Sequence, residues 1–358
     1  MDRKLRVALL FGGRSAEHDV SLMSAANVHR ALDPERYEVV PIAVARTGAW
    51  MLCALPDGKF PAQVPDNGPL ITLLPGGGGR LVVASGDAFE PPAPVDVIFP
   101  VLHGPFGEDG SVQGLAELAG VPFVGASVFA SAAAMDKDAA KRLLRDAGLP
   151  IPRFRVVTPD DAPSFAELTA ELGRPLFVKP ARLGSSIGVG KADTAEDFAA
   201  ALAEAFRHDR KVLIEEFMRG REVECGVLED ADGTLTTSLP GEIVPTNRYA
   251  FYTYEAKYLD EHGAVLKVPA DLSKAVVKRV QELSVRAFQA LGCEAMARID
   301  FFLRDDMSVI VNEVNTIPGF TNISMYPLMF KATGVSYSEL IDRLIRHAMA
   351  RAGRAPQA

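Results

Sequence analysis

Apolar and polar positions near the start of the chain alternate as expected for strands and helices that pack side by side. Residues 6–12 and 37–45 are apolar runs with the length of buried strands, and residues 19–32 between them have the spacing of an amphipathic helix. A strand, a helix and a strand in this order predict a parallel βαβ unit. Residues 95–104 predict a further buried strand that ends in a Gly-rich loop.

Helix start and stop signals mark a second unit. Residues 137–147 have helical spacing, with Asp136 as the N-cap, Gly148 just past the end and Pro150 beyond it. We interpret this helix as the hinge into the second unit. The elements predicted after it are a strand at 154–157, a helix from Ser164, a strand at 176–180, a loop at 181–190, a helix capped by Thr194 and a strand at 212–217.

A third stretch begins after Gly220. Its pattern predicts several strands, a long helix at residues 274–291, a strand pair and a final helix. Between the first strands and the long helix lies a polar segment, residues 249–267, that contains several tyrosines. A solvated loop rarely needs so many tyrosines unless it closes on something, so this segment suits a mobile lid better than a core strand.

Residues 298–315 have the alternation of a β-hairpin with a polar turn at residues 304–306. With residues 305–306 as a two-residue loop, Arg298 lies opposite Glu313 and Asp300 lies opposite Val311. Alternation then directs four polar side chains to one face, those of Arg298, Asp300, Glu313 and Asn315. Two carboxylates and an amide are costly together without a counter-charge, so the hairpin predicts a cation site. The alternative is a structural salt bridge of Arg298 with Asp300 or Glu313.

Composition narrows the class of protein. The chain has 358 residues, of which 48% are hydrophobic and 23% charged, as in ordinary globular proteins of two or three packed units. Its apolar runs are too short to cross a bilayer, and the run after the basic start is interpreted as a buried strand, not a signal peptide. A net charge of −8 argues against a general nucleic-acid or membrane surface. Three widely spaced cysteines predict reduced thiols in the cytoplasm.

Two Gly-rich or acidic segments are candidate nucleotide contacts. Residues 177–190 form a strand carrying Lys179 and then a loop of glycines and serines, where backbone N–H groups and a lysine can approach phosphates. Neither the P-loop motif nor the dinucleotide fingerprint is present, and a flexible turn is the alternative. The strand at 212–217 ends in Glu215 and Glu216, where main chain could bind an adenine edge and Glu222 a ribose, or the turn is simply solvated.

Two loops that follow predicted strands are candidate substrate contacts. Glu17 lies near the start of the first helix, where it could bind an ammonium group or merely complement the helix dipole. His103 lies after a buried strand, where ligand sites occur in open α/β sheets, although a lone histidine is more often structural. Gly319 and several small hydroxyl residues follow the hairpin directly.

Seven motifs in a fixed order carry a family resemblance: "GGRSAEHDVS", "HGPFGEDGSVQG", "MDKDAAK", "FVKPARLGSS", "EAKY", "RIDF" and "NEVNTIPGFTNIS". In this order the chain resembles the D-alanine–D-alanine ligases of the ATP-grasp superfamily, over about residues 5–348. The resemblance implies an α/β fold of three-domain ATP-grasp architecture, with an N-terminal parallel-sheet domain at residues 1–125. A central subdomain at 126–215 and a C-terminal subdomain at 216–358 would hold ATP between them.

The resemblance also implies roles for individual residues. The nucleotide contacts would be Lys137, Lys179, Ser186, Glu215, Glu216, Met218, Glu222 and Lys257. The metal ligands, for two Mg²⁺ or Mn²⁺, would be Asp300, Glu313 and Asn315. The first D-alanine would meet Glu17 and His103, the oxyanion would meet Arg298 and the Gly319 N–H, and the second D-alanine would meet Ser324 and Met325. Ser185 and Tyr258 would link the lid to Glu17.

The chemistry of such a ligase fits these residue types. A carboxylate is a poor electrophile, and phosphorylation to an acyl phosphate needs charge neutralisation by lysines and Mg²⁺. The implied partners are two D-alanines, ATP and a second copy of the chain in a homodimer, without nucleic acid or membrane. The tyrosine in "EAKY", Tyr258, favours a second D-alanine over D-lactate.

Three other classes remain as alternatives. Another ATP-grasp carboxylate–amine ligase would share the activation step but leave the first-domain motif unused. A nicotinamide oxidoreductase is suggested by the βαβ start, but it would lack its dinucleotide fingerprint and leave the hairpin carboxylates unexplained. An inactive binding module would require loss of a metal ligand, and all three predicted ligands are present.

Overall fold

A computed structural model describes residues 3–55, 58–65, 68–84, 92–245 and 264–354. The first sheet has the strand order β3-β2-β1-β6, with β1 parallel to both β2 and β6 and β3 antiparallel to β2. Its strands are β1 (Leu5–Gly12), β2 (Tyr37–Val44), β3 (Trp50–Leu52) and β6 (Val97–Pro100), and helix α1 (His18–Ala31) joins β1 to β2. The predicted βαβ unit is therefore confirmed. A separate antiparallel pair consists of β4 (Ile71–Leu73) and β5 (Leu81–Val83).

Three helices lead from the first sheet to the second. They are α2 (Ser111–Ala119), α3 (Val128–Met135) and α4 (Lys137–Asp146), of which only α4 was predicted. Asp136 ends α3 and caps α4, because its side chain accepts hydrogen bonds from the backbone N–H groups of Asp138 and Ala139. Gly148 just past α4 has φ +68°, as expected for a helix C-terminal glycine.

The second sheet is antiparallel and has the order β7-β10-β8-β9. Its strands are β7 (Phe154–Val157), β8 (Leu176–Pro180), β9 (Gly190–Ala192) and β10 (Val212–Glu216), with helices α5 (Phe165–Leu172) and α6 (Ala195–His208) between them. Both helices begin where predicted, and Ser164 and Thr194 each form a capping box. The caps explain why these two helix starts could be located from sequence.

The third sheet is also antiparallel, in the order β14-β13-β11-β15-β16, with β12 beside β11. Its strands are β11 (Arg221–Glu229), β12 (Leu235–Thr237), β13 (Gly241–Pro245), β14 (Ala264–Lys267), β15 (Met296–Leu303) and β16 (Val309–Asn315). Helices α7 (Lys274–Ala290), α8 (Met325–Ala332) and α9 (Tyr337–Arg354) complete the described chain. The last four residues of the predicted lid form β14, and residues 249–263 of it lie outside the described residues.

The hydrophobic cores cross the predicted unit boundaries. Ala140 and Leu144 of α4 share a core with Val311 of the third sheet, so α4 packs on the third sheet although it precedes the second in sequence. Leu344 of α9 packs in one core with Phe99 of the first sheet. The boundaries at residues 125 and 215 stay a prediction.

The predicted register of the β15–β16 hairpin was wrong. Arg298 pairs with Asn315 and Asp300 pairs with Glu313, whereas Phe301 already pairs with Val311. A bulge lies between the last two pairs, so β16 contributes one extra residue there. The connecting loop is residues 304–308, not two residues, and Met307 in it has φ +65°. As a result, Asp300 and Glu313 are direct cross-strand neighbours.

Two further expectations concern the whole chain. Cys53, Cys225 and Cys293 are buried free thiols, in line with the expected reduced state. Among the described helices, none is long and apolar enough to cross a membrane.

Candidate active site

Four segments that are distant in sequence meet at one place. The Lys137 Nζ at the start of α4 donates to the Leu183 carbonyl in the loop after β8, at 2.6 Å, and lies 3.8 Å from Glu313 Oε2 on β16. The Ser185 hydroxyl in the same loop donates to Glu17 Oε1 at 2.5 Å, just before α1. The structure therefore brings the predicted Gly-rich loop, the α4 lysine, the hairpin and the first-domain glutamate together.

A buried group of three charges lies beneath this loop. Glu215 on β10 receives the Lys179 ammonium on one carboxylate oxygen, at 2.8 Å, and has the Lys141 ammonium 3.1 Å from the other. Although burial opposes ionisation, the two lysines hold the pKa of Glu215 at about 2. Burial likewise disfavours a charged Lys179, but Glu215 outweighs it and raises the pKa of Lys179. Glu215 thus keeps a cation fixed where the sequence predicts phosphates.

Lys141 was missed by sequence reasoning. Burial lowers its pKa from the ordinary value, against the attraction of Glu215. The signal was its position four residues after Lys137 on α4, which places the two lysines on one helix face. The sequence could not show that a carboxylate from β10 lies opposite this face.

The other predicted adenine contacts lie around the end of β10. Glu216 faces away from Glu215 and accepts from the Arg153 backbone N–H at 2.7 Å and from Arg153 Nε at 2.8 Å. Met218 is half-buried in the segment after β10, and Glu222 is half-buried at the start of β11. The Phe177 and Phe217 rings stack at 5.8 Å beside this segment. Nothing in these contacts conflicts with the predicted adenine and ribose roles, which stay predictions.

Arg298 lies at the centre of the hairpin face. Its guanidinium donates to both carboxylate oxygens of Asp300, at 2.7 and 2.8 Å, and lies 3.0 Å from Glu224 Oε2 on β11. Burial opposes its charge, but the two carboxylates raise the pKa of Arg298 further. Glu224 was missed by sequence reasoning, because only the pairing of β11 with β15 places it directly opposite Asp300.

The predicted metal ligands lie together on the facing strands β15 and β16. Asp300 pairs with Glu313 across the ladder, and Asn315 Nδ2 donates to Asp300 Oδ2 at 3.0 Å. Within the described chain no group of three or more His, Cys, Asp and Glu side chains is placed to hold a metal ion. The predicted set of metal ligands has only two carboxylates, and its third ligand is the amide of Asn315. Carboxylate and amide oxygens are the donors that Mg²⁺ accepts, so these residues fit such an ion.

The loop after β8 has a backbone suited to a close approach. Ser185 and Ser186 adopt φ +53° and +59°, an uncommon region for residues other than glycine. Such strained positions persist only where the surroundings hold them, and they cluster at functional sites. Here the Ser185 side chain is tied to buried Glu17, so the loop is fixed to the first domain.

His103 is buried beside this contact, and its backbone carbonyl accepts from the Ser15 hydroxyl at 2.6 Å. Its ring nitrogens face the Ile317 carbonyl and the Ser24 hydroxyl, each at 3.2 Å. Glu108, in the same loop, accepts from the backbone N–H groups of Gly104 and Ile317. A contact of His103 with the first D-alanine therefore stays a prediction, while its present partners are protein groups.

The segment after the hairpin places the last predicted residues. A Cβ atom built on Gly319 would lie 2.6 Å from Ser324 Oγ, so this backbone runs close to that hydroxyl. The Ser324 hydroxyl also accepts from the Thr321 backbone N–H at 2.9 Å. The Met325 side chain is buried in a small core with Ile243 and Met329, so its predicted substrate contact can involve only its backbone. Lys257 and Tyr258 lie outside the described residues.

Three sheets joined in this way, with Lys137 of the connecting helix α4 beside Glu313 of the third sheet, are the ATP-grasp architecture of carboxylate–amine ligases. Residues 6–126 match the sequence family described as D-ala D-ala ligase N-terminus, and residues 143–346 match the family described as D-ala D-ala ligase C-terminus. The chain belongs to the D-alanine–D-alanine ligase family and is a ligase.

Individual relatives agree along the whole chain. A protein of Mesorhizobium japonicum named D-alanine–D-alanine ligase A is 60% identical, covering 98% of this chain and 99% of its own. A solved structure of the D-alanine–D-alanine ligase from Coxiella burnetii is 37% identical with a TM-score of 0.86, covering 98% of this chain and 95% of its own. The VanG D-Ala:D-Ser ligase of Enterococcus faecalis, 33% identical, has a TM-score of 0.81 and covers 97% and 100%.

Proposed function

We propose that the protein joins two D-alanines into D-alanyl-D-alanine at the expense of ATP, releasing ADP and phosphate, and so supplies the dipeptide of peptidoglycan precursors. The observation that carries this is the convergence of Lys137 with Glu313 at 3.8 Å, beside the Gly-rich loop and the Glu17–Ser185 contact. Relatives named for this activity, and a 27% identical Bacillus anthracis ligase solved with ATP, with a TM-score of 0.72, support the same assignment.

In this proposal the nucleotide lies between the second and third sheets. Lys137 and Lys179 bind its phosphates, and Glu215 holds Lys179 charged and in place. The end of β10 with Glu216 and Met218 borders the adenine, Glu222 takes the ribose, and Ser186 lies in the loop over the phosphates. Lys257 is assigned a phosphate contact from the family resemblance. Without such cations, the negative charge that gathers on the transferred phosphoryl group would have no compensation.

The first D-alanine is placed by its two charged ends. Glu17 binds the ammonium group, and Ser185 fixes the orientation of the Glu17 carboxylate through a short hydrogen bond. The D-alanine carboxylate then takes the γ-phosphoryl group and becomes an acyl phosphate, which is a good electrophile. Tyr258, assigned from the resemblance, completes a link from the lid to Glu17 and helps to exclude water from this intermediate.

The second D-alanine attacks the acyl phosphate through its amine. Arg298 and the Gly319 N–H donate to the oxyanion that forms, and Ser324 with the Met325 backbone positions the second carboxylate. Two carboxylates hold Arg298 in one orientation, so the donor needs no rearrangement during the reaction. One such donor contributes about 3–4 kcal/mol to the transition state.

Asp300, Glu313 and Asn315 would hold two divalent cations, Mg²⁺ or Mn²⁺. Bound there, the ions would supply positive charge to the phosphate oxygens of the nucleotide. A homodimer in the cytoplasm is also part of the proposal. Supporting it, Leu118 and Phe129 on α2 and α3 are 69% and 62% exposed, which leaves apolar surface for a second copy to cover.

Phosphate release from ATP and Mg²⁺ tests the assignment. The substrates to compare are D-alanine, L-alanine, and D-alanine mixed with D-lactate or D-serine, with the products separated. We expect phosphate release when D-alanine is the sole acid, and D-alanyl-D-alanine as the single dipeptide product. Both should be lost in Glu313→Gln. Because the VanG enzyme of the same fold is a D-Ala:D-Ser ligase, a mixed product with D-serine would change the second substrate without changing the class. Release with none of these acids would overturn the proposal.

A further inference from the structure

The His103 ring, in the loop after β6, is linked to both ends of the short segment that follows β16, directly at one end and through Ser24 at the other. Its Nδ1 lies 3.2 Å from the Ile317 carbonyl, and its Nε2 lies 3.2 Å from the Ser24 hydroxyl on α1. That hydroxyl in turn accepts from the Phe320 backbone N–H at 3.2 Å. We name these three contacts the His103 network. Gly319 lies inside the segment, residues 317–320, that the network holds at each end.

For a neutral ring, only one assignment of protons satisfies every atom of the network. A carbonyl can only accept, so Nδ1 carries the proton and donates to Ile317. The neutral ring then offers Nε2 as an acceptor for the Ser24 hydroxyl. The Ser24 oxygen keeps a lone pair for the Phe320 N–H. Burial of the ring lowers the pKa of His103, in agreement with a neutral side chain.

Neighbouring groups also bond this segment. Glu108 Oε1 accepts from the Ile317 N–H at 3.3 Å, so both backbone groups of Ile317 are bound by the loop that carries His103. Asn27 on α1 donates to the Phe320 carbonyl at 3.1 Å, and the Tyr337 hydroxyl donates to it at 2.6 Å. The segment is thus bonded on four backbone groups, although it has no helix or strand of its own.

We propose that His103 is a positioning residue, which with Ser24 fixes residues 317–320 so that the Gly319 N–H is aimed at the oxyanion. The proposal rests on the proposed function, since it gives His103 a part in the same step. It differs from a direct contact with D-alanine, because the ring is only 5% exposed and both nitrogens bind protein. A displacement of about 1 Å at such a donor can cost up to roughly 100-fold in rate.

Ser24→Ala tests the network without changing the histidine. Ser24 is fully buried on α1, and Ser21 one turn earlier is a matched control because it is equally buried. The Ser21 hydroxyl bonds the Gly12 N–H and the Val101 carbonyl, both within the first domain. We expect kcat to fall roughly 10-fold in Ser24→Ala, with KM for D-alanine unchanged within about twofold. Ser21→Ala should lose similar thermal stability while its kcat stays within about twofold.

His103 variants separate the two roles of the ring. The asparagine amide nitrogen can occupy the place of Nδ1 and still donate to Ile317, so His103→Asn should retain more kcat than His103→Ala. Direct substrate contact predicts instead that both variants raise KM for D-alanine while kcat is maintained. That result would overturn the proposal, as would an equal loss of kcat in Ser21→Ala and Ser24→Ala.

Hydrogen exchange gives a readout that needs no catalysis. In the unliganded protein, Ser24→Ala should speed amide exchange of a peptide covering residues 317–320 several-fold, and Ser21→Ala should leave that peptide unchanged. Faster exchange in Ser24→Ala, together with a wild-type protein that forms no dipeptide, would retain the network and discard the ligase assignment. Unchanged exchange in Ser24→Ala would discard the network even in a fully active ligase.

Discussion

Lys141 Nζ and Glu215 Oε1 lie 3.1 Å apart, and their side chains are 3% and 2% exposed. Lys179 compensates the other oxygen of the same carboxylate at 2.8 Å. A buried carboxylate with two lysines carries a net positive charge, which is costly by itself. In the proposed function, a phosphate group of the nucleotide at this place would compensate that charge.

Replacing Lys141 should weaken ATP binding more than it weakens D-alanine binding. Lys141→Met leaves Glu215 with Lys179 alone, so Lys179 is drawn closer to its partner and away from the phosphates. We expect KM for ATP to rise roughly 10-fold, while the free energy of unfolding falls by no more than about 1 kcal/mol, because Glu215 keeps Lys179 as its counter-charge. Arg142→Met is the control, since that arginine is exposed on the next position and its ion pair with Asp138 is worth little. Equal KM values in the two variants would contradict the role.

The cross-strand pair of Asp300 and Glu313 should bind the divalent ion. In Glu313→Gln we expect phosphate release to fall at least ~100-fold and Mg²⁺ to lose its protection of the protein–ADP complex against heat. Asp306→Asn, in the exposed loop of the same hairpin, serves as the control and should keep both properties. Removal of Mg²⁺ with a chelator should lower phosphate release by the wild type as much as Glu313→Gln does. Heat protection by Mg²⁺ that survives in Glu313→Gln would place the ion elsewhere.

Glu108 should make stability fall with rising pH. Burial and the nearby Glu17 carboxylate raise the pKa of Glu108 to about 8. Between the ordinary glutamate pKa and 8 the folded state binds a proton that the unfolded state has lost, so the free energy of unfolding decreases as pH rises. Glu108→Gln cannot bind this proton. In urea unfolding, the difference in free energy of unfolding between the wild type and Glu108→Gln should therefore shrink from pH 5 to pH 8.

Glu167 offers a control of opposite sign. Its exposed carboxylate accepts from Ser164 in the capping box, and that hydrogen bond lowers the pKa of Glu167. Its contribution is complete above the ordinary pKa, so the gap between wild type and Glu167→Gln should stay constant from pH 6 to pH 8. If the difference in free energy of unfolding between the wild type and Glu108→Gln is equally constant, Glu108 is ionised over the whole pH range and the predicted shift is wrong.

Local signals were enough to place much of the fold. The N-caps Asp136, Ser164 and Thr194 marked helix starts that the structure confirms, because a cap acts on backbone groups only two or three residues away. The spacing of apolar residues likewise predicted the βαβ unit at the start of the chain. Helices α2 and α3 were not predicted, since helices of only nine and eight residues give little periodic signal.

Long-range contacts could not be read from the sequence. The hairpin register depended on the five-residue loop and on one extra residue in β16, and alternation alone gives no sign of either. Lys141 and Glu224 became site residues only through strands that lie far away in sequence. The partner of His103 is 214 residues distant, so sequence could only suggest a ligand there. The order of the motifs supplied the family resemblance, but it did not supply these contacts.

Gly319 should tolerate no side chain while Ser324 keeps its hydroxyl. The added methyl group of Gly319→Ala would lie 2.6 Å from Ser324 Oγ, which must move and give up its hydrogen bond from the Thr321 N–H. We expect the free energy of unfolding to fall by about 1–3 kcal/mol and kcat to fall roughly 10-fold to 100-fold. Gly114→Ala is the control, because its Cβ would meet nothing closer than 3.9 Å.

Gly319→Ala in a Ser324→Ala background shows whether the contact of the added methyl group with the Ser324 hydroxyl causes the loss of stability. Without the hydroxyl the nearest atom is the Ser324 Cβ at 3.4 Å, an ordinary contact distance. Gly319→Ala should then cost clearly less stability than it costs in the wild type, which a double-mutant cycle measures as a favourable coupling above about 0.5 kcal/mol. Additive losses of stability would mean that the clash with the Ser324 hydroxyl is not the cause. If stability is restored in the double variant but its kcat stays well below that of Ser324→Ala, the methyl group also blocks the approach of the oxyanion to the Gly319 N–H.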